Sequence, residues 1–350
     1  MKTLRLLQVK DLNVLVRMDL DLPEVDGKYD TTRLMDGLQS LIFLYKNDAK
    51  HVKVIGHLGR PDGKVVKKYS MKKITAVLYE SLLKDKAFKK VKQEELEKWL
   101  EVGENLRFDP REEKPNSKFA KELSKGFDLY VYEAFAVVHR DHTSVTRIPE
   151  YLPTCTGIQC YKELTTLKKL LRSPKQPFVF ILGGGKPETK IPLIDPISER
   201  VSVIMVGGKL PKEMTYEQFP NRKLIIGELR EDGKDLSQAA MEQFERFIVQ
   251  AETIVWNGPM GKYEDEDARK GTAYIADCVA RTRGFKILGG GDTEAAVSLL
   301  GIDQEKAFTH VSTGGGAMME YIAKGTLPLI EALERSQMEF GGKTKADKKS

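Results

Sequence analysis

The sequence predicts an α/β protein of two Rossmann-like, doubly wound parallel-sheet domains joined by an interdomain helix. Apolar runs such as VLVRM, FVFIL and TIVWN carry little polar alternation, which suits strands covered by helices on both faces. Between these runs, apolar residues recur three and four apart at 33–47, 71–84, 237–249 and 268–281, as crossover helices require. Nearly every apolar run then ends in residues capable of chemistry, the arrangement of an open sheet that binds ligands beyond its carboxyl edge. A chain of 350 residues is also long for one hydrophobic core, so two domains are expected.

Composition narrows the function classes. With 41% hydrophobic and 31% charged residues the chain is neither disordered nor fibrous, and no apolar stretch approaches a membrane span. The start, MKTLRLLQVKDLNVLV, interrupts its apolar run at Lys10 and Asp11 and shows no small-residue cleavage site. It is therefore not read as a signal peptide, and a cytoplasmic protein is expected. Cys155, Cys160 and Cys278 lack the number and spacing of a disulfide framework or zinc site, so they read as ordinary thiols. Of the net charge of +6, much sits in the tail KTKADKKS, with four lysines against one aspartate. Basic residues interleaved with aromatics are missing, so an anionic small molecule fits better than nucleic acid. A monomer is expected.

Taken in order, the first half ends its strands in charged side chains. VLVRMDLDLP presents Arg17, Asp19 and Asp21; HVKVIGHLGRP presents His57 and Arg60; ENLRF presents Arg107; LYVYEAFAVVHRDH presents His139, Arg140 and His142. Forked guanidinium donors of this kind suit an anion. Arg17 reads as a core ion-pair partner, and His139 and His142 as satisfied hydrogen-bonding residues rather than ligands. A helical pattern at 161–172, ending before SPKQP, reads as the connector; a further crossover helix within one domain is its alternative. The expected layout is a domain at 1–160, the connector at 161–173, a domain at 174–330, and a C-terminal segment with basic tail at 331–350.

The second half ends its runs in glycine, at ILGGGK, VSVIMVGG, TIVWNGPMG, FKILGGGDT and FTHVSTGGG, with Trp256 read as packing. In ILGGGKPETK the glycines allow backbone N–H groups to approach a ligand, and Lys186 and Lys190 would share a helix face, a geometry suited to a polyanion. A tight connection after a strand explains the same residues, and neither a Walker A loop nor G-x-G-x-x-G is present. The first half is thus expected to grip an anion with arginines and the second to cradle phosphates with backbone, which implies two substrates.

VLVRMDLDLP, TTRL, GHLGRP, ENLRF, VVHRDHTS, ILGGGK, WNGPMG, LGGGDT and STGGGA follow one another in the order of the signature blocks of phosphoglycerate kinases, which the chain resembles over nearly its whole length. The resemblance implies phosphoryl transfer between 1,3-bisphosphoglycerate and ADP, giving 3-phosphoglycerate and ATP, with Mg2+ accompanying the nucleotide. It implies that Asp19, Asp21, Arg33, His57, Arg60, Arg107 and Arg140 hold phosphoglycerate. On the nucleotide side it implies Gly183, Gly184, Gly185, Lys186, Lys190, Gly207, Asn257, Pro259, Glu264, Gly290, Gly291, Asp292 and Thr293. Glu264 would take ribose hydroxyls and Asp292 the magnesium. Arg33, Lys190 and the helix start at Gly314 and Gly315 would stabilise the transferring phosphoryl group, and no general base is needed because the attacking oxygen is already ionised.

Three departures from the family pattern stand out. Asp21 replaces an asparagine, which adds negative charge beside an anionic ligand. Pro192 and Pro196 fall within what is a regular helix in the family, and each removes a backbone donor there. Between Gly208 and WNGPMG the chain is shorter by about one strand-and-helix unit, where the family builds much of its adenine pocket. Weak discrimination between adenine and guanine nucleotides is therefore expected, and an impaired relative that only binds nucleotide or anion is the alternative function.

Overall fold

The computed structural model describes residues 2–25, 27–219 and 223–340, so the basic tail lies outside the described residues. Two compact units divide the chain: residues up to Leu164 together with those from Thr326 onward, and Thr165–Gly325.

The first unit is built on strand β1 (Asn13–Met18), followed by a short antiparallel hairpin of β2 (Glu24–Val25) and β3 (Lys28–Tyr29). Then come β4 (His51–Ile55), β5 (Leu100–Val102), β6 (Leu129–Glu133) and β7 (Thr154–Thr156). Its five-stranded sheet is wholly parallel, in the order β5-β4-β1-β6-β7. The second unit carries β8 (Phe178–Leu182), β9 (Val203–Val206), β10 (Leu224–Ile226), β11 (Thr253–Asn257), β12 (Phe285–Gly289) and β13 (His310–Ser312). These form a parallel six-stranded sheet in the order β10-β9-β8-β11-β12-β13. In both sheets the chain winds outward from the first strand, then returns and winds the other way. Each therefore has a point of reversal, between β1 and β6 and between β8 and β11, where open sheets place their ligands.

The absence of alternation in the apolar runs has its expected cause. β6, β8 and β11 are buried at every position, with helices covering both faces. The four helical patterns become Thr32–Lys46, Lys72–Lys84, Gln238–Ile248 and Lys270–Arg281, each turning most of its apolar residues inward, with Met35 and Phe247 left exposed. The connector pattern begins earlier than the sequence suggests, as the helix Ile158–Arg172, and the division between the units falls within it. Its first turn is held by the buried Glu133 at the end of β6, whose Oε1 accepts from the Cys160 N–H at 2.7 Å and whose Oε2 accepts from Ser40 Oγ. A carboxylate here satisfies backbone donors that have no partner inside the helix. Burial nevertheless pushes Glu133 up to about 7, against the pull of these bonds.

The C-terminal helix Pro328–Phe340 packs on the first unit, although the sequence reads it as the end of the second domain and a separate segment. Leu329, Ala332 and Leu333 are buried, and Ser336 Oγ donates to the Leu152 carbonyl at 3.2 Å.

Candidate functional site

In the first unit the candidate residues follow the carboxyl ends of β1, β4, β5 and β6. Chain direction explains this: the loop after each parallel strand emerges on the same edge. Asp19 is buried, which raises its pKa above the usual carboxylate value despite Arg33 and Arg17 nearby. Its Oδ2 is buried without a hydrogen bond and faces Arg33 Nη1 at 3.9 Å. Asp21 uses Oδ1 to accept the Gly59 N–H at 2.8 Å and places Oδ2 3.6 Å from His57 Nε2. Arg107 is mostly buried; its Nη1 donates to the Gly59 carbonyl at 2.9 Å and its Nε pairs with Glu113 at 3.0 Å. Arg60 and Arg140 are exposed. The cluster is a cationic cleft with a few fixed carboxylates, able to hold an anion that also carries a hydroxyl.

Arg17 corrects the sequence reading of a core ion pair. Its guanidinium, 1% exposed, gives its donors to neutral groups: Ser144 Oγ at 3.4 Å, His57 Nδ1 at 2.9 Å and the Met18 carbonyl. By hydrogen bond Glu112 is reached through Ser144, whose Oγ donates to it at 2.6 Å, while the Arg17 charge also acts on its carboxylate directly. Neither Glu112 nor Ser144 stands out in the sequence, and the lone arginine inside an otherwise apolar run was the available signal. His142 lies 4.0 Å from Glu112, and burial holds it down to about 4, with Arg107 and Arg17 adding to the effect.

In the second unit the loops after β8, β9, β11, β12 and β13 converge on one edge. Two of the three glycines in GGGK do not have the role the sequence assigns them. Gly183 donates its N–H to the Asn257 carbonyl at 2.9 Å and Gly184 to the Pro259 carbonyl at 2.7 Å, so both amides join loop to loop. A Cβ on Gly183 would stand 2.4 Å from the Pro259 carbonyl oxygen, which makes close backbone approach the reason for glycine. Only at Gly185 is the space open. Asn257 and Thr293, expected to face nucleotide, are buried and likewise bind backbone. Asn257 Nδ2 donates to the Gly289 carbonyl at 2.9 Å; Thr293 Oγ1 accepts from Gly258 at 2.7 Å and donates to Gly289 at 3.0 Å. Gly207 packs on Met260, and Gly290 (φ 99°) and Gly315 crowd around Asn257 Nδ2.

The two lysines do not share a helix face. Lys186 is the left-handed residue before the four-residue helix Pro187–Lys190, and it is exposed. Lys190 is buried, with Nζ donating to the Gly183 carbonyl at 2.6 Å. Burial holds Lys190 down to about 8; Asp292 opposes this and Lys186 adds to it. Pro192 and Pro196 break the next stretch into a short turn, Ile191–Leu193, and the helix Ile194–Ser198. Two longer helices, Gly291–Leu299 and Gly315–Lys324, begin at the same edge, with Gly314 capping the second. Asp292 is exposed in the first turn of the former, and Glu264 is exposed on its loop. Helix starts, a lysine and glycine-lined backbone form an edge suited to phosphate groups.

A model of the phosphoglycerate kinase family matches residues 4–228 and 210–325. The phosphoglycerate kinase of Finegoldia magna is 32% identical over 394 aligned positions, covering 95% of this chain and 99% of that protein. That of Rubrobacter xylanophilus is 33% identical, covering 96% and 99%. The structure of phosphoglycerate kinase from Coxiella burnetii superposes with a TM-score of 0.79 at 27% identity, covering 95% of this chain and 99% of that one. That from Pyrococcus horikoshii OT3 gives 0.80 at 25% identity, covering 97% and 100%. An alignment of 394 positions exceeds the 350 residues of this chain, and the two family matches overlap at 210–228.

Proposed function

The chain belongs to the phosphoglycerate kinase family and is a kinase, and we propose that its two clusters divide the two substrates between them. The first unit takes 3-phosphoglycerate or 1,3-bisphosphoglycerate through Arg33, Arg60, Arg107, Arg140, His57, Asp19 and Asp21. The second takes ADP or ATP through Gly185, Lys186 and the helix starts at Gly291 and Gly315, with Glu264 on the ribose. The observation that carries the first assignment is Asp19 Oδ2, a buried acceptor without a hydrogen bond, beside Arg33. A buried acceptor among cations calls for a ligand that is anionic and also donates a hydroxyl.

Arg33, Lys190 and the Gly314–Gly315 helix start are assigned to the transferring phosphoryl group. They neutralise charge that spreads over its equatorial oxygens, and the ionised attacking oxygen needs no base. Magnesium fits as a companion of the nucleotide. Among the described residues no cluster of three or more His, Cys, Asp or Glu is arranged for a metal. Asp292, an exposed carboxylate at a helix start, suits a cation whose other ligands are phosphate oxygens and water. When bound, the ion supplies charge neutralisation on the nucleotide phosphates. The working form is a cytoplasmic monomer without a nucleic-acid or membrane partner; no described helix is long and apolar enough to cross a membrane.

A coupled assay on the purified full chain, with ATP and GTP side by side, tests the reading. Turnover with 3-phosphoglycerate is expected, with ATP favoured over GTP by less than about tenfold because the base pocket is short of wall. Binding of both ligands without turnover would overturn the kinase assignment of these residues. A stronger ATP preference would show the base pocket rebuilt elsewhere.

A further inference from the structure

We infer that Arg17 is a positioning residue that locks His57 as a neutral imidazole with its proton on Nε2, so that the anion cleft of the first unit faces a fixed N–H donor instead of a titrating cation. A guanidinium has donors only. With Arg17 Nη2 2.9 Å from His57 Nδ1, that ring nitrogen must be the acceptor, and the proton of the ring belongs to Nε2.

Arg17 has no freedom to turn away. It sits on the central strand β1, its Nη1 donates to the Met18 carbonyl and its Nε to Ser144 Oγ at 3.4 Å. Ser144 is in turn gripped twice by the buried Glu112, through Oγ at 2.6 Å and the backbone N–H at 3.1 Å. His57 is 4% exposed, so its ring is equally confined. On its other side Nε2 stands 3.6 Å from Asp21 Oδ2, longer than a good hydrogen bond, so the N–H can turn to an incoming oxygen. The charges facing His57 are Arg17, Arg107, Arg33 and Asp21, with His142 nearby. The cations oppose a second proton on the ring, and burial opposes it most, which holds His57 well below its usual range. The lone carboxylate of Asp21 is half-exposed and already accepts from Gly59. The cleft thus offers a bound anion the same donor at every pH near neutrality.

The inference deepens the phosphoglycerate reading of this cleft, but its first test needs no ligand. In full chain labelled with 15N-histidine, long-range 1H–15N spectra between about pH 5 and 8 should show His57 with Nδ1 pyridine-like and Nε2 pyrrole-like throughout. A proton on Nδ1, or a titration of His57 within that range, overturns the inference whatever the ligand proves to be. The second test compares Arg17→Met and Arg17→Lys. In Arg17→Met the affinity for 3-phosphoglycerate should fall about tenfold and the His57 spectra should show a mixture of tautomers. Arg17→Lys, which keeps a donor, should restore the affinity and the Nε2–H tautomer, and the KM for ATP should hold within about twofold in both. Unchanged affinity and an unchanged tautomer in Arg17→Met would also overturn it. Should Arg17→Met fail to fold, the spectra of the native protein decide alone. A correct tautomer without any 3-phosphoglycerate binding would leave the device standing and remove the substrate assignment.

Discussion

Under the proposed assignment the two units meet the same problem, holding a phosphorylated anion at the open edge of a parallel sheet, with different materials. In the first, the proposed recognition rests on side chains with resident carboxylates beside them: Arg33 with Asp19 at 3.9 Å, Arg107 with Glu113 at 3.0 Å, and the neutral His57 with Asp21 at 3.6 Å. In the second, glycines bring loops within backbone contact, as where Gly183 and Gly184 bond the carbonyls of Asn257 and Pro259. Helix starts and one buried lysine then supply the positive charge. A side-chain site can be edited residue by residue, whereas a backbone site is only as good as the packing of its loops. Asp21 can replace asparagine and still bond Gly59. Gly183 has no such tolerance.

The comparison breaks most sharply at Arg33. Arg33→Ala removes a preorganised charge donor and should cut turnover on the order of a hundredfold. Steady-state rates within about threefold of the parent would take Arg33 out of the mechanism and leave the first unit with ground-state binding alone.

A smaller effect should separate the glycines of the second unit from one another. The Cβ of Gly183→Ala meets the Pro259 carbonyl oxygen at 2.4 Å, so backbone must shift, whereas Gly185→Ala enters open space. Denaturant unfolding should show Gly183→Ala destabilised by about 1–3 kcal/mol. Gly185→Ala should lose nucleotide affinity with its midpoint nearly unchanged. Equal midpoint losses in the two variants would mean that this loop packing does not hold the site.

The smallest effect lies in the pH dependence of the buried lysine. Burial brings Lys190 to about 8, below its usual 10.5, so the folded chain holds the charged amine less readily than the unfolded chain does. Its charge therefore costs stability at pH below about 8, and that cost is relieved as pH rises through 8 toward 10.5. A bound polyphosphate restores the charge, so binding takes up a proton above pH 8 and nucleotide affinity should fall by up to about tenfold per pH unit there. Calorimetry in buffers of different ionisation enthalpy measures the uptake. The slope should vanish in Lys190→Met, and a slope that persists would place the proton elsewhere.

The long buried strands, the four crossover helices, the two parallel sheets and the edge on which chemistry gathers were legible in the sequence, because burial on both faces leaves an unbroken apolar run and each parallel strand delivers its loop to the same side; ENLRF, read as a strand end, instead forms the turn Leu106–Phe108, and β5, β7 and β10 are too short to leave such a run. The charged residues of the first unit were legible for the same reason: a guanidinium or carboxylate carries its chemistry wherever the backbone sets it. Tertiary structure alone decided which amides were left for a ligand, since Gly183 and Gly184 bind Asn257 and Pro259, residues more than 70 positions away. It also decided that Asn257 and Thr293 clamp backbone, that Lys186 and Lys190 part company at a left-handed turn, and that Arg17 bonds a histidine. The C-terminal helix joined the first unit on similar grounds, through contacts such as Ser336 with Leu152 that no local pattern encodes. Hydrogen-bond partners and close approaches are set between segments distant in the chain, whereas periodicity and residue chemistry are local; that is where the sequence stopped and the fold took over.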